Sequence, residues 1–275
     1  MARRLRQAGF SVAAWNRSSG KAEQLASIGV EVHATPASAV AGRDFVISML
    51  SSGPANEEVL LGTGGVIAAM EPGSVLVVMS SIPVETARRL SDVARDRGLG
   101  WLDAPVSGGE KGAIEGTLSI MAGGTADDFA TMEPVFQPLG RPAHLGPAGC
   151  GQLAKLCNQL IVASTICAVA EALVLAERGG ADPGRVRDAL LGGFADSTVL
   201  RQHGLRMVEG RFEPGGPAKY QVKDTRTALM LAAELHVDLP VATVVDGLFA
   251  AMVDHGDGNL DHSAVIREVR RRSAG

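Results

Sequence analysis

The chain has 275 residues, of which 46% are apolar and 20% charged, and its formal net charge is −4. That balance excludes a disordered protein, and with no long run of one sign it gives bulk nucleic-acid binding no basis. The cysteines, Cys150, Cys157 and Cys167, are odd in number and lie in one apolar stretch, so they read as core packing in a reduced, cytoplasmic protein rather than as a disulfide framework. The histidines are scattered without a zinc-type pair, so no metal site is expected. No apolar segment follows the basic first residues, which gives a signal peptide no support. Arg270, Arg271 and Arg272 read as a solvated tail.

Residues 2–8 are helix-like and stop at Gly9. Residues 11–15 read as a strand, 16–19 as a polar loop, 20–28 as a helix, 30–32 as a short strand and 36–40 as a short helix. Residues 45–50 and 75–79 are continuous apolar runs rich in β-branched residues, the pattern of strands buried on both faces of a parallel sheet. Ser81, Pro83 and Glu85 suit a helix start, with Ser81 as a candidate cap. Residues 100–103 and 118–122 read as two more strands, and the segment from Thr125 to Asp128 as a capping box. Beyond Gly151 the rhythm changes. Residues 152–178 form one long helical pattern, followed by helical segments near 183–192, 196–209, 219–236, 240–254 and 261–272. The part from Leu160 to Ala176 is almost wholly apolar, yet short for a span and interrupted by Glu171. It reads as a buried central helix with Glu171 as a buried partner or a contact between copies, not as a membrane segment.

This order predicts an α/β chain. A doubly wound, Rossmann-like nucleotide-binding domain over 1–148 precedes an all-helical domain for substrate contact and dimerisation over 149–275. A dinucleotide-binding unit opens with a strand, a glycine loop and a helix. Here residue 1 already sits in the helix, so the first strand and its glycine loop are expected to be missing. A start placed too late in a longer reading frame accounts for this more simply than a real truncation. For a chain that does begin at Met1, the expected consequences are weak cofactor binding and an exposed strand edge.

Several groups of residues carry candidate chemistry. Asn16, Arg17 and Ser18 follow the second strand of the unit. An acidic residue there would hold the ribose hydroxyls of NAD; a guanidinium with small polar neighbours suits the 2′-phosphate of NADP instead, with NAD as the other possibility. Met49, Leu50 and Ser81 stand at the carboxyl ends of predicted parallel strands, the edge where open α/β sheets bind ligands. Ser107, Gly108 and Gly109 allow a tight turn with several amides directed one way, able to hold a carboxylate, although most such turns are only turns. Lys155 and Asn158 share one face near the start of an otherwise apolar helix, where an ammonium either snorkels, pairs or works. Lys223 and Asp224 begin another helix and read equally well as a solvated pair.

Taken together, the segments 103–109 and 149–158 and the pair Lys223 and Asp224 resemble the β-hydroxyacid dehydrogenase family, which includes 3-hydroxyisobutyrate dehydrogenase, tartronate semialdehyde reductase and the glyoxylate/succinic semialdehyde reductases. The similarity runs over essentially the whole chain. It implies that Lys155 is the catalytic acid/base, that Asn158 orients substrate, and that Ser107, Gly108 and Gly109 bind a substrate carboxylate. It further implies that Lys223 lies over nicotinamide and substrate with support from Asp224, that Ser81 contacts the cofactor, and that the protein is a homodimer or homotetramer. Lys155 argues against the imine reductase branch, which usually lacks this lysine. A short-chain dehydrogenase would need a Tyr-x-x-x-Lys pair, but four residues after Tyr220 stands Asp224. A non-catalytic helical dimerisation protein is the alternative of another class; NADPH-dependent aldehyde reduction separates the two.

Overall fold

The apolar runs of the first half become the strands that build its core. The computed structural model describes residues 1–273, apart from the side chains of Ser19 and Lys21. The chain divides into two units, Met1–Lys155 and Leu156–Gly275, the division falling within one helix. In order, the first unit holds α1 (Ala2–Gln7), β1 (Ala13–Ala14), α2 (Ser19–Ala26), β2 (Glu31–Val32), α3 (Pro36–Val40), β3 (Phe45–Ser48), α4 (Gly53–Leu61), α5 (Val66–Ala69), β4 (Val75–Val78), α6 (Val84–Asp96), β5 (Gly100–Asp103), β6 (Val106–Ser107), α7 (Gly109–Glu115), β7 (Leu118–Gly124), α8 (Ala126–Phe136) and β8 (Gly140–His144). The long helix α9 (Cys150–Arg178) follows.

β4 explains why a continuous β-branched run was needed. Leu76 and Val78 pack with Ala87, Leu90 and Ala94 of α6 on one face. Val75 and Val77 pack with Leu118, Ile120, Met132 and Phe136 on the other. Both faces are dry, so neither could carry a polar residue without cost. β3, β4 and β5 pair in parallel, whereas β7 runs antiparallel to β5 and β6 and parallel to β8. Neither β6 nor β8 was expected from the sequence. β6 is two residues long, and β8, Gly-Arg-Pro-Ala-His, has no apolar run and pairs only with β7.

The remaining pair, β1 and β2, forms a separate two-stranded parallel sheet. The strand expected over 11–15 shrinks to Ala13 and Ala14, because pairing with β2 is its whole ladder. Successive strand residues aim their amides to opposite sides. Val12 and Ala14 carbonyls accept from Glu31 and His33, which leaves the Ala13 amide facing away from β2. Asp44 and Ser48 carbonyls likewise accept from Val75 and Met79, leaving Phe45 and Ile47 facing away from β4. Ala13, Phe45 and Ile47 border one cavity of about 470 Å³, together with Leu5, Val12 and Val135. The sides of β1 and β3 that face away from β2 and β4 thus flank this cavity.

The second unit is helical: α10 (Pro183–Leu190), α11 (Leu205–Glu209), α12 (Ala218–Glu234), α13 (Pro240–Met252) and α14 (Val265–Arg272), with π-helical segments at 200–204 and 253–257. α9 supplies its centre through Ala163, Ile166, Ala170 and Leu173. By length and composition α9 could cross a membrane, but in this structure one of its faces is core. The other face is exposed at Ile161 and Leu175, so α9 is not buried all round as expected.

Three further expectations are corrected. Glu171 is exposed and lines a groove with Val241 and Val244 rather than being a buried partner. Only Cys167 is core; Cys157 is exposed, spaced ten residues from it and so on a different part of the helix surface. Burial pushes the Cys167 thiol up to about 12, with the Glu171 charge adding to it. The terminal arginines are no free tail: Arg270 pairs with Glu177, Arg271 with Asp257 and Glu268, and Arg272 with Glu268. Glu268 is only 2% exposed, so α14 is held by neutralising a buried carboxylate.

Candidate active site

In the first unit the ends of β3, β4 and β5 meet the start of α9. The first amides of a helix have no intrahelical acceptor. Asp103, the last residue of β5, supplies one from a distance of 49 residues in sequence: its Oδ2 accepts from the Gln152 amide at 2.8 Å. Its Oδ1 accepts from the Gly149 amide at 2.7 Å. The carboxylate is wholly buried. Burial pushes its pKa up to about 6, although the two amides pull it back. The Gln152 side chain is used at both ends. Its Nε2 donates to the Ser80 carbonyl at 2.8 Å and its Oε1 accepts from the Ile82 amide at 3.1 Å. Ser80 Oγ in turn accepts from the Leu50 amide at 2.7 Å.

One turn further along α9, Lys155 is half-buried and its Nζ donates to the Val106 carbonyl at 2.9 Å. That ties the amine to the residue before Ser107. Ser107 ends β6, and Gly108 (φ 130°) and Gly109 (φ 62°) turn the chain into α7. Both angles lie where only glycine is unstrained, which is why the turn is Gly-Gly. The Ser107 hydroxyl is half-exposed and has no hydrogen-bond partner among the described residues. Asp103 belongs to the same sequence motif but not to this loop's open side; it is a buried cap for α9.

The cofactor candidates sit on the same unit. Met49 is exposed and Leu50 half-buried just past β3. Ser81 is half-exposed two residues ahead of the helix cap; the cap is Pro83 and takes no side-chain bond, so the expected capping role is withdrawn. Asn16, Arg17 and Ser18 are exposed in the loop after β1, where the Asn16 amide donates to the Ser18 carbonyl at 2.7 Å.

In the second unit, four side chains form a row. Asn158 Nδ2 donates to Gln159 Oε1 at 2.9 Å, and Gln159 Nε2 donates to Asp224 Oδ2 at 2.7 Å. Asp224 is 8% exposed and its Oδ1 lies 3.0 Å from Nζ of the exposed Lys223. Gln152 and Gln159 were not singled out from the sequence. The available signal was an amide side chain inside an apolar helix, which needs a partner when buried.

The second unit also gathers His203, Asp261 and His262, whose ligand-type atoms lie within 4.8 Å of one another, a grouping that the scattered sequence positions did not reveal. Asp261 is already engaged by the Gly215, Gly216 and Ser263 amides, the Ser263 hydroxyl and Arg206. Burial opposes its charge, but His203, 3.5 Å away, and the bonds from Ser263 outweigh burial and hold the carboxyl well below the usual range. Burial and the neighbouring His203 push His262 down to about 4. The cluster fastens the segment leading into α12.

Residues 1–153 match the family model described as the NAD binding domain of 6-phosphogluconate dehydrogenase. Residues 149–269 match that described as NAD-binding of NADP-dependent 3-hydroxyisobutyrate dehydrogenase. The chain is 43% identical over 250 residues to 2-hydroxy-3-oxopropionate reductase of Escherichia coli K12, covering 90% of this chain and 85% of that one. It is 34% identical to glyoxylate/succinic semialdehyde reductase 1 of Arabidopsis thaliana, over 98% of this chain and 94% of that one. Among solved structures, Mycobacterium tuberculosis 3-hydroxyisobutyrate dehydrogenase with L-serine superposes with a TM-score of 0.88 at 31% identity, covering 98% of this chain and 94% of that chain.

Proposed function

We propose specific residue roles for a chain that belongs to the β-hydroxyacid dehydrogenase family and is an NAD(P)-dependent oxidoreductase of small hydroxyacids and their carbonyl counterparts. Lys155 is the acid/base. The observation that carries this is its 2.9 Å hydrogen bond to the Val106 carbonyl, which holds the amine beside Ser107. Ser107, Gly108 and Gly109 hold the substrate carboxylate through the free hydroxyl and the turn amides. Asn158 orients substrate, itself fixed by Gln159. Lys223, backed by Asp224, contributes a second cation toward substrate and cofactor.

The first unit's residues fit a dinucleotide: a parallel strand edge ending in Met49 and Leu50, the half-exposed Ser81 hydroxyl, and the exposed Arg17 with no acid at 16–18. Arg17, flanked by Asn16 and Ser18, is assigned to a 2′-phosphate, giving a preference for NADP. The bound nicotinamide supplies the hydride. Lys155, as ammonium, stabilises the charge that develops on the carbonyl oxygen and gives it a proton; as neutral amine it takes the hydroxyl proton in oxidation. The substrate is a small aldehyde or ketone bearing a carboxylate, among them glyoxylate and the succinic, tartronate and methylmalonate semialdehydes. The exposed apolar side chains Ile161 and Leu175 of α9 and Val241 and Val244 of α13 are assigned to contact between copies, as homodimer or homotetramer, in the cytoplasm.

Incubating the chain with this panel and either reduced cofactor tests the reading. NADPH oxidation by at least one member, faster than NADH oxidation, is expected. A folded protein that oxidises neither cofactor with any of them contradicts it.

A further inference from the structure

The junction at the start of α9 is built more heavily than a helix end requires. One serine or asparagine would satisfy one free amide. Here a wholly buried carboxylate takes two, Gly149 at 2.7 Å and Gln152 at 2.8 Å, and the Gln152 side chain adds bonds to Ser80 and Ile82. Attachments in several directions fix a helix against rotation about its axis as well as against sliding. The backbone packing is equally close. A Cβ on Gly151 would stand 2.2 Å from the Asp103 carbonyl oxygen and 2.3 Å from that of Met121. A Cβ on Gly123 would stand 2.6 Å from the Gly151 amide nitrogen. Lys155 leaves the helix four residues after Gly151 and three after Gln152, on the same face. Ser81 lies between the two residues that Gln152 grips.

We infer that Asp103 and Gln152 are positioning residues for the reaction, holding the acid/base Lys155 and the cofactor-contact residue Ser81 in one fixed frame. This rests on the roles proposed above for those two residues. The Asp103 carboxylate sets where α9 begins and how it is turned. The Gln152 amide carries that setting to the 80–82 segment. A tilt of the first turn displaces Lys155, whereas Ser81 is one cofactor contact among several, so the larger loss falls on turnover and the smaller on cofactor binding.

The test uses the Gln152→Met and Asp103→Asn variants of the whole chain, with NADPH and the best aldehyde of the panel. In both, kcat falls about tenfold or more, while KM for aldehyde and Kd for NADPH move less than about threefold. The primary isotope effect with deuterated NADPH rises, because the misaligned chemical step becomes more limiting. Folded variants with kcat and isotope effect within about twofold of the parent overturn the inference. Should Asp103→Asn not fold, Gln152→Met and Gln152→Glu carry the test alone. A second readout needs no turnover. After reductive methylation with 13C-formaldehyde, the Lys155 signal, assigned through Lys155→Arg, shifts in Gln152→Met while those of Lys219 and Lys223 stay; an unmoved Lys155 signal also overturns the inference. Lys155→Ala assayed alongside keeps the two ideas apart. Near-native turnover there refutes the acid/base role, whereas the labelling result refutes positioning.

Discussion

Two regions of the first unit are made in opposite ways. At the start of α9 the buried polar groups of Asp103, Gln152 and Ser80 are partnered, and glycine stands where no side chain fits. Between β1 and β3, two strand edges face a common cavity without bonding to each other. The first region holds the proposed proton donor. The second lies beside the residues proposed to meet the cofactor. The contrast teaches that a junction whose buried polar groups are all partnered holds its helix from several directions, whereas strands bordering a cavity are held from one side only.

That contrast can be broken by crowding the tight region. Gly151→Ala drives a Cβ into two backbone carbonyl oxygens that cannot step aside, and a stability loss of about 4 kcal/mol or more in urea unfolding is expected. A loss below about 1 kcal/mol would show that the junction yields.

The buried charge offers a second handle. Asp103 binds its proton more tightly folded, at about 6, than unfolded, at 3.8. The folded state is therefore favoured by this group below about pH 4, and that advantage is lost as pH rises through 6. Between pH 4 and 7 the parent should lose ~2 kcal/mol relative to Asp103→Asn. Parallel stability curves would mean the carboxylate ionises without penalty.

The open region can be compared directly by hydrogen exchange. The Ala13, Phe45 and Ile47 amides face the cavity, whereas Val46 and Val77 lie within the β3–β4–β5 ladders. Opening free energies lower by about 2 kcal/mol, roughly 30-fold faster exchange, are expected for the former set. Equal protection would remove the distinction between the two regions. The smallest effect is at the loop after β1. Arg17→Glu should shift the NADPH over NADH preference about tenfold toward NADH, with little change in turnover. An unchanged ratio would release Arg17 from the phosphate.

Much of this was legible in the sequence, for reasons that can be named. The runs at 45–48 and 75–78 declare strands because a strand dry on both faces admits nothing polar. The Gly-Gly turn at 108–109 and the Lys155 and Asn158 face were visible because backbone sterics and helical spacing are local. What stayed hidden is non-local. Gln152 meets Ser80 72 residues away, and Gln159 meets Asp224 65 away, so no window of sequence contains both partners. β8 hides for the related reason that its identity comes from pairing with β7 and not from its own apolar content. The terminal arginines were misread, and the buried-partner reading of Glu171 failed, because a charge alone does not reveal whether its surroundings are solvent or a buried opposite charge.

The proposed reaction turns on the proton assigned to Lys155. Lys155→Ala, assayed at steady state with NADPH and the preferred aldehyde, tests it most directly. Turnover should fall by about 10²–10⁴-fold, with NADPH affinity within about twofold of the parent. A variant that keeps near-native turnover would show that another group moves the proton.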